Sequence, residues 1–363
     1  MKFIDINREY EDFDWQESLK PVFDDKCFIN GSSVKQFEKN ISSYLNCKYS
    51  VGVSSGTDAL TVALMSTEIK NPVVLTTPYT FISTVETVLK IGGKVLFCDI
   101  TDDFNININR VKEIIENKNI DIFLPVHLFG NACYLDEELL NLCKNKNVRI
   151  IEDAAQALGT EMNGKKVGTI GNLGCFSFFP SKNLGGAGDG GLVVTNDENL
   201  CNRCLMIRNH GSKIKYIHEI EGGNFRLDTI QAAILNFKLS YLNKFLDSRI
   251  KSSRLYNDAF STIKEIKTPR KLPNILHTYN QYVLQIKENR DVLKKYLNNK
   301  GIPTALYYPS CLTEQPYLKG KFSGDTCTIS KNMARKNIAL PIAHLTDEER
   351  NFVIKEIKNF YEN

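Results

Sequence analysis

The chain has almost no excess charge of one sign: 46 basic against 42 acidic residues leaves a formal net charge of +4 over 363 residues. No block of Lys and Arg gathers that excess. Pairs such as Lys165-Lys166 and Lys294-Lys295 read as solvated faces, so a nucleic-acid binder is not expected. Long hydrophobic runs are missing as well. Ile122–Phe129 is strongly apolar, but it spans eight residues and contains Pro125 and His127. A membrane-spanning helix needs about 20 apolar residues. The opening MKFIDINREYEDFDWQ has early acidic residues and no apolar core of a signal peptide, so a soluble, cytoplasmic protein without a membrane partner is expected. Disorder is excluded by the 42% hydrophobic content together with the small net charge.

Clustered cysteines are lacking too. The ten are scattered from Cys27 to Cys327, in a chain large enough to fold without staples. Cys201 and Cys204 form a CxxC pair with no second pair or suitably spaced histidines nearby. Reduced thiols and no metal site are the expectation.

What is present is alternation. Between Val51 and Thr195, Val73–Thr76, Val95–Asp99, Ile122–Pro125, Val148–Glu152, Cys175–Phe178 and Leu192–Thr195 read as buried strands. Thr57–Thr67, Thr80–Ile91, Arg110–Asn117 and Asp136–Asn145 read as amphipathic helices. Strands separated by helices predict parallel βαβ units and a three-layer, mostly parallel α/β domain, with functional residues beyond the carboxyl ends of the strands. Asp228–Phe245 reads as one long helix whose pattern continues to Phe260. Beyond it, Pro269 and Pro273 punctuate a linker, Tyr282–Ile286 reads as a strand and Arg290–Lys300 as a helix. A terminal helix over Thr346–Tyr361 carries the capping pair Thr346 and Glu349. The expected division is a large domain over 1–245 and a smaller α+β domain over 246–363.

Three segments carry chemistry. Ser54-Ser55-Gly56-Thr57-Asp58 joins a strand to a helix, and the helix N-terminus offers unpaired N–H groups and partial positive charge to a phosphate. The same residues also suit a plain N-cap. Asp153 ends an apolar strand and is followed by Ala154, Ala155 and Gln156. Its carboxylate suits a protonated ring nitrogen, with Gln156 in reach of a ring hydroxyl; capping the next turn is the alternative. In the third segment, Cys175–Gly191, five of the 22 glycines lie between Gly185 and Gly191, after Lys182. A phosphate-binding P-loop places its Lys after the glycines, and a dinucleotide-binding GxGxxG opens a helix rather than a strand. A reductase of the Rossmann type is therefore disfavoured, and Lys182 reads as an amine held against permissive backbone, with an ordinary surface lysine as the alternative. Together the segments fit pyridoxal 5′-phosphate: Lys182 for the aldehyde, Asp153 for the pyridine nitrogen, and Gly56, Thr57 and Ser177 for the phosphate.

On these residues the chain resembles the DegT/DnrJ/StrS family of nucleotide-sugar aminotransferases, which have the type I pyridoxal-phosphate fold. The matching stretches are SGTDAL (55–60), TTPYTFIST (76–84), PVHLFG (125–130), IEDAAQALG (151–159), FSFFPSKNLGGAGDGG (176–191), RNHGS (208–212) and NFRLDTIQAAIL (224–235). The resemblance implies that Lys182 is the Schiff-base lysine and that Asp153 and Gln156 hold the ring edges. It also implies that Phe81 stacks on the ring, that Ser177 binds the phosphate, and that Asn224 reaches the phosphate from the neighbouring subunit of a homodimer. Glutamate is the implied donor, the cofactor passing through its pyridoxamine form.

HGSKIKYIHEIEGGNFRLD and GIPTALYYPSCLTEQP resemble members that aminate C3 of dTDP-3-keto-6-deoxyhexoses for surface glycans such as O-antigen, or for natural-product sugars. Tyr216, His218, Tyr307 and Tyr308 are the candidate sugar or diphosphate contacts, with core packing as the alternative for the tyrosines. A UDP-3-keto-hexuronate and a 4-keto-sugar remain alternative substrates. The family's dehydratases carry histidine where this chain has Lys182. A non-catalytic regulatory relative is the alternative from another class.

Overall fold

Strands that are apolar at nearly every position need cover on both faces. The computed structural model, which describes residues 1–362, supplies that cover. The central sheet comprises β1 (Tyr49–Val53), β2 (Val73–Thr76), β3 (Lys94–Phe97), β4 (Ile122–Leu124), β5 (Arg149–Asp153), β6 (Leu173–Ser177), β7 (Gly191–Thr195) and β8 (Phe322–Gly324). Its order is β1-β7-β6-β5-β4-β2-β3-β8. β7 runs antiparallel to β1 and β6, and the remaining pairings are parallel.

Alternate residues of these strands enter separate cores. Val74, Val95, Ile122 and Ile151 pack with helices Gly56–Ser66 (α1), Ser83–Lys90 and Glu198–Ile207. Leu75, Leu96, Phe123 and Ile150 pack on the other face with helices Ser32–Leu45, Ile108–Asn117 and Glu137–Asn145. Each fully buried aliphatic side chain contributes about 1.5–3 kcal/mol, so the two cores together hold the three layers. No helix among the described residues is long and apolar enough to cross a membrane. Cys201 and Cys204 are both buried in Glu198–Ile207 and unbonded.

The helix expected over Asp228–Phe245 is two helices, Thr229–Leu239 and Leu242–Phe260. The Ser240 N–H bonds back to the Phe237 carbonyl at 3.2 Å, and the Ser240 hydroxyl donates to that same carbonyl at 2.6 Å. This tightened turn ends the α-helical ladder and redirects the chain, which apolar periodicity does not register. The helix expected from Thr80 begins at Ser83, leaving Thr80 and Phe81 in a loop at the carboxyl end of β2.

Beyond Leu242 a second core forms around the antiparallel strands Ile266–Lys267, Tyr282–Ile286 and Asn337–Leu340, with Tyr256, Leu284, Leu293 and Val353 packed among them. Residues 322–324 lie within the stretch expected to form the small domain, yet they join the large sheet as β8, in parallel with β3. The terminal helix Asp347–Glu362 has its reciprocal cap: Glu349 N–H donates to Thr346 Oγ1 and Thr346 N–H to Glu349 Oε2.

Candidate active site

A cavity of about 430 Å³ lies beyond the carboxyl ends of the central strands. Its floor is built by β5, whose last residue is Asp153. One Asp153 oxygen accepts from Thr84 Oγ1 at 2.8 Å, and the other from the Ala155 N–H at 3.2 Å. Burial raises the Asp153 carboxyl above its ordinary pKa, against the lowering effect of these two bonds and of the charge on Lys182. Lys182 lines the same cavity. Burial pulls its ammonium down to about 8, and the negative charge of Asp153 opposes the fall.

The rim is made by α1. Ser55 caps it, accepting from the Asp58 N–H at 3.0 Å, and Thr57 Oγ1 lies 2.8 Å from Ser83 Oγ. The first turn is pressed against the lysine-bearing segment: a Cβ on Gly56 would lie 2.6 Å from Ser177 Cβ, and one on Gly191 would lie 2.1 Å from the Ser55 carbonyl. Glycine at both places lets the free N–H groups of the helix end and the Ser177 hydroxyl share one cradle. Gln156 is pinned at both ends, its Oε1 accepting from Phe129 N–H at 2.7 Å and its Nε2 donating to Tyr308 Oη at 3.0 Å. Phe81 is 56% exposed over the cavity, tilted toward Tyr308 with ring centroids 6.4 Å apart. Tyr79 ties the opposite wall in place, donating to the Tyr307 carbonyl and accepting from the Tyr308 N–H.

Of the residues singled out in the sequence, the fold brings Gly56, Thr57, Phe81, Asp153, Gln156, Ser177, Lys182, Tyr307 and Tyr308 around this one cavity. Three stand away from it. Asn224 is exposed and bridges to Asn209. Tyr216, 82% exposed, and His218 sit on a hairpin of strands Ser212–Ile214 and Ile217–His218. His218 Nδ1 contacts the His210 carbonyl at 2.8 Å. Sequence reasoning missed Thr84, Asp189 and Gln281, which also line the cavity. Thr84 had a signal, four residues after Thr80 in a stretch that reads as helix; in the structure their hydroxyls lie 2.9 Å from each other. Gln281 had none.

The donor set fits pyridoxal phosphate on chemistry visible here. It offers an amine of lowered basicity, a carboxylate with bonding capacity to spare, and a glycine-lined N–H and hydroxyl cradle that a Cβ at Gly56 would fill.

The comparisons agree with that chemistry. The DegT/DnrJ/EryC1/StrS aminotransferase family matches residues 10–358. A pleiotropic regulatory protein of Geobacillus stearothermophilus is 35% identical over 99% of this chain and 98% of its own length. The UDP-N-acetyl-3-dehydro-alpha-D-glucosamine 3-aminotransferase of Acidithiobacillus ferrooxidans is 34% identical over 91% of this chain and 88% of its own. The dTDP-3-amino-3,6-dideoxy-alpha-D-galactopyranose transaminase of Aneurinibacillus thermoaerophilus is 34% identical over 98% and 97%. Among solved structures, S. venezuelae DesV in complex with a ketimine intermediate superposes with a TM-score of 0.94 at 31% identity, covering 100% of this chain and 98% of that one.

Proposed function

The chain belongs to the DegT/DnrJ/EryC1/StrS aminotransferase family, and from that membership we propose that it moves the amino group of glutamate to C3 of a dTDP-3-keto-6-deoxyhexose, giving a dTDP-3-amino-3,6-dideoxyhexose. Aminotransferases of this family use pyridoxal 5′-phosphate. When bound, the cofactor supplies an aldehyde for the amino group and a protonated ring that withdraws electron density.

The observation that carries the reading is Lys182 and Asp153 facing one cavity, with the amine held at about 8. At that value a useful fraction of Lys182 is neutral near physiological pH, so with cofactor bound its amine would be able to accept and return the proton that the transfer requires. Asp153 keeps the ring nitrogen protonated, oriented by Thr84 and the Ala155 amide. Gly56, Thr57 and the α1 amides receive the phosphate with Ser177. Phe81 would cover one ring face, and Gln156 would sit by the ring oxygen.

Asn224 completes the phosphate site from a second copy in a homodimer. Tyr216 and His218, which stand off the cavity of their own chain, reach the sugar or diphosphate of the second copy, while Tyr307 and Tyr308 contact it from within. The relatives named for C3 amination include both dTDP- and UDP-linked sugars.

The test follows the two halves separately. Purified protein should be yellow, and glutamate should convert it to the pyridoxamine form. A panel of dTDP- and UDP-keto-sugars should then restore the colour, fastest with a dTDP-3-keto-6-deoxyhexose. A protein that glutamate leaves unchanged overturns the aminotransferase reading, and restoration by UDP-hexuronates alone overturns the sugar assignment. A monomeric, fully active enzyme on size-exclusion would remove the shared-site dimer.

A further inference from the structure

Gln281 lines the active-site cavity, is only 7% exposed, and its Oε1 has no hydrogen-bond partner. A wall position that needed only packing would be served by leucine, without burying a carboxamide whose bonding capacity is unused. The backbone holds it firmly: the Gln281 N–H donates to the Phe129 carbonyl at 3.3 Å. The N–H of that same Phe129 residue donates to Gln156 Oε1. Two glutamines thus hang from opposite sides of one residue, which adopts the left-handed conformation (φ 62°). Gln156 spends both ends of its amide on protein partners, whereas Gln281 leaves its Oε1 without one.

We propose that Gln281 reads the hydroxyl at C4 of the sugar, next to the carbon that carries the amine. This rests on the nucleotide-sugar reading above. An unpartnered carboxamide oxygen requires a donor; glutamate's one donor is the amino group it gives up in the transfer, and its carboxylates only accept. A sugar hydroxyl both donates to Oε1 and accepts from Nε2, and the broad terminal torsion of the side chain turns either end toward the ligand. Position selects C4 over C2. With the nucleotide on C1 directed toward solvent, C2 would lie on the outward side of C3 and C4 on the inward side, and the low exposure of Gln281 in the cavity wall suits the inward one. Tyr308, fixed by Gln156, forms the neighbouring wall.

The experiment runs the sugar half-reaction backwards on the holoenzyme, following the loss of yellow colour. Two donors differ at C4: dTDP-3-amino-3,6-dideoxygalactose bears the hydroxyl and dTDP-3-amino-3,4,6-trideoxyglucose lacks it. Wild-type enzyme should prefer the first by about 10–100-fold in kcat/KM, the range expected when a buried polar group loses its partner. Gln281→Leu should bring that preference to within about threefold and lower the ratio of sugar to glutamate half-reaction rates by a similar 10–100-fold. Gln281→Met keeps the length, loses both the acceptor and the N–H donors and should likewise bring the preference to within about threefold, so the test survives misfolding of the leucine variant.

Equal wild-type rates with both sugars, or an unchanged preference in the variants, overturn the assignment to Gln281 and leave the aminotransferase reading standing. Wild-type enzyme that responds to glutamate but to neither sugar overturns the dTDP-sugar reading, and the Gln281 assignment falls with it.

Discussion

Glu152 and Asp153 are consecutive on β5, and the pleat of the strand sends them to opposite sides. On the closed side, Glu152 accepts from the N–H groups of Gly168, Ile170 and Gly171 and lies 2.8 Å from His127 Nε2. His127 Nδ1 in turn accepts from the Cys133 N–H, so its Nε2 carries the proton given to Glu152. On the open side, Asp153 has two protein donors and a cavity in front of it. Both carboxylates are buried, and burial alone does not tell them apart. The bonding capacity left over does: one carboxylate is consumed in tying a loop to the sheet, and the other is held in readiness for a ligand.

The largest effect that tests this contrast belongs to the amine facing Asp153. Lys182→Ala should reduce transamination by about 10³-fold or more. Borohydride should then no longer fix cofactor to the chain, as mass spectrometry would read; persistent fixation would break the assignment.

The pair itself comes next. Asp153→Ala should lower activity by about 10²-fold or more. Its carboxyl is raised by burial, so its ionised form at neutral pH opposes folding, and the apo-variant should be as stable as wild type in urea or slightly more so. Glu152→Ala should cost about 3–5 kcal/mol of stability in the same titration, because it strands three backbone donors and His127. The opposite pattern would invert the comparison.

A smaller effect lies in pH. With Lys182 at about 8, cofactor uptake by the apo-protein should rise nearly tenfold per pH unit below 8 and level off above it. Asp153→Asn should move that midpoint down, since the Asp153 charge holds the ammonium up. Between 8 and the ordinary lysine value of 10.5 the unfolded chain binds more protons, so this group makes the fold gain stability as pH rises through that window. The smallest effect is expected at Tyr216→Ala. A side chain 82% exposed should change monomer stability by no more than about 0.5 kcal/mol, whatever it does to sugar turnover.

Much of this was legible in residue order. The expected strands Val73–Thr76 and Tyr282–Ile286 match the observed ones to the residue, because apolar runs bounded by turns have one reading. Gly56 and Asp153 stood out because they sit at or just past the end of a strand, and Lys182 because it precedes a run of glycines. The break at Ser240 did not, since both helices keep the same periodicity and a local turn separates them. Glu152 and Asp153 look equally available as letters, and only the loop that folds back over Glu152 separates their roles. Gln281 sits just ahead of a strand with no motif around it, and its lack of a partner is a property of three-dimensional packing alone.

β8 gives the molecule a mechanical character. The chain leaves the large sheet to build the second core and then threads back to pair with β3. The stretch bearing Tyr307 and Tyr308 is therefore anchored at both ends, like the deck of a bridge rather than a hinged door. Cutting the chain near residue 246 would strip that span away and leave β3 as a bare edge, prone to pair with other chains. The enzyme is a closed circuit, and neither arc is expected to fold as an independent module.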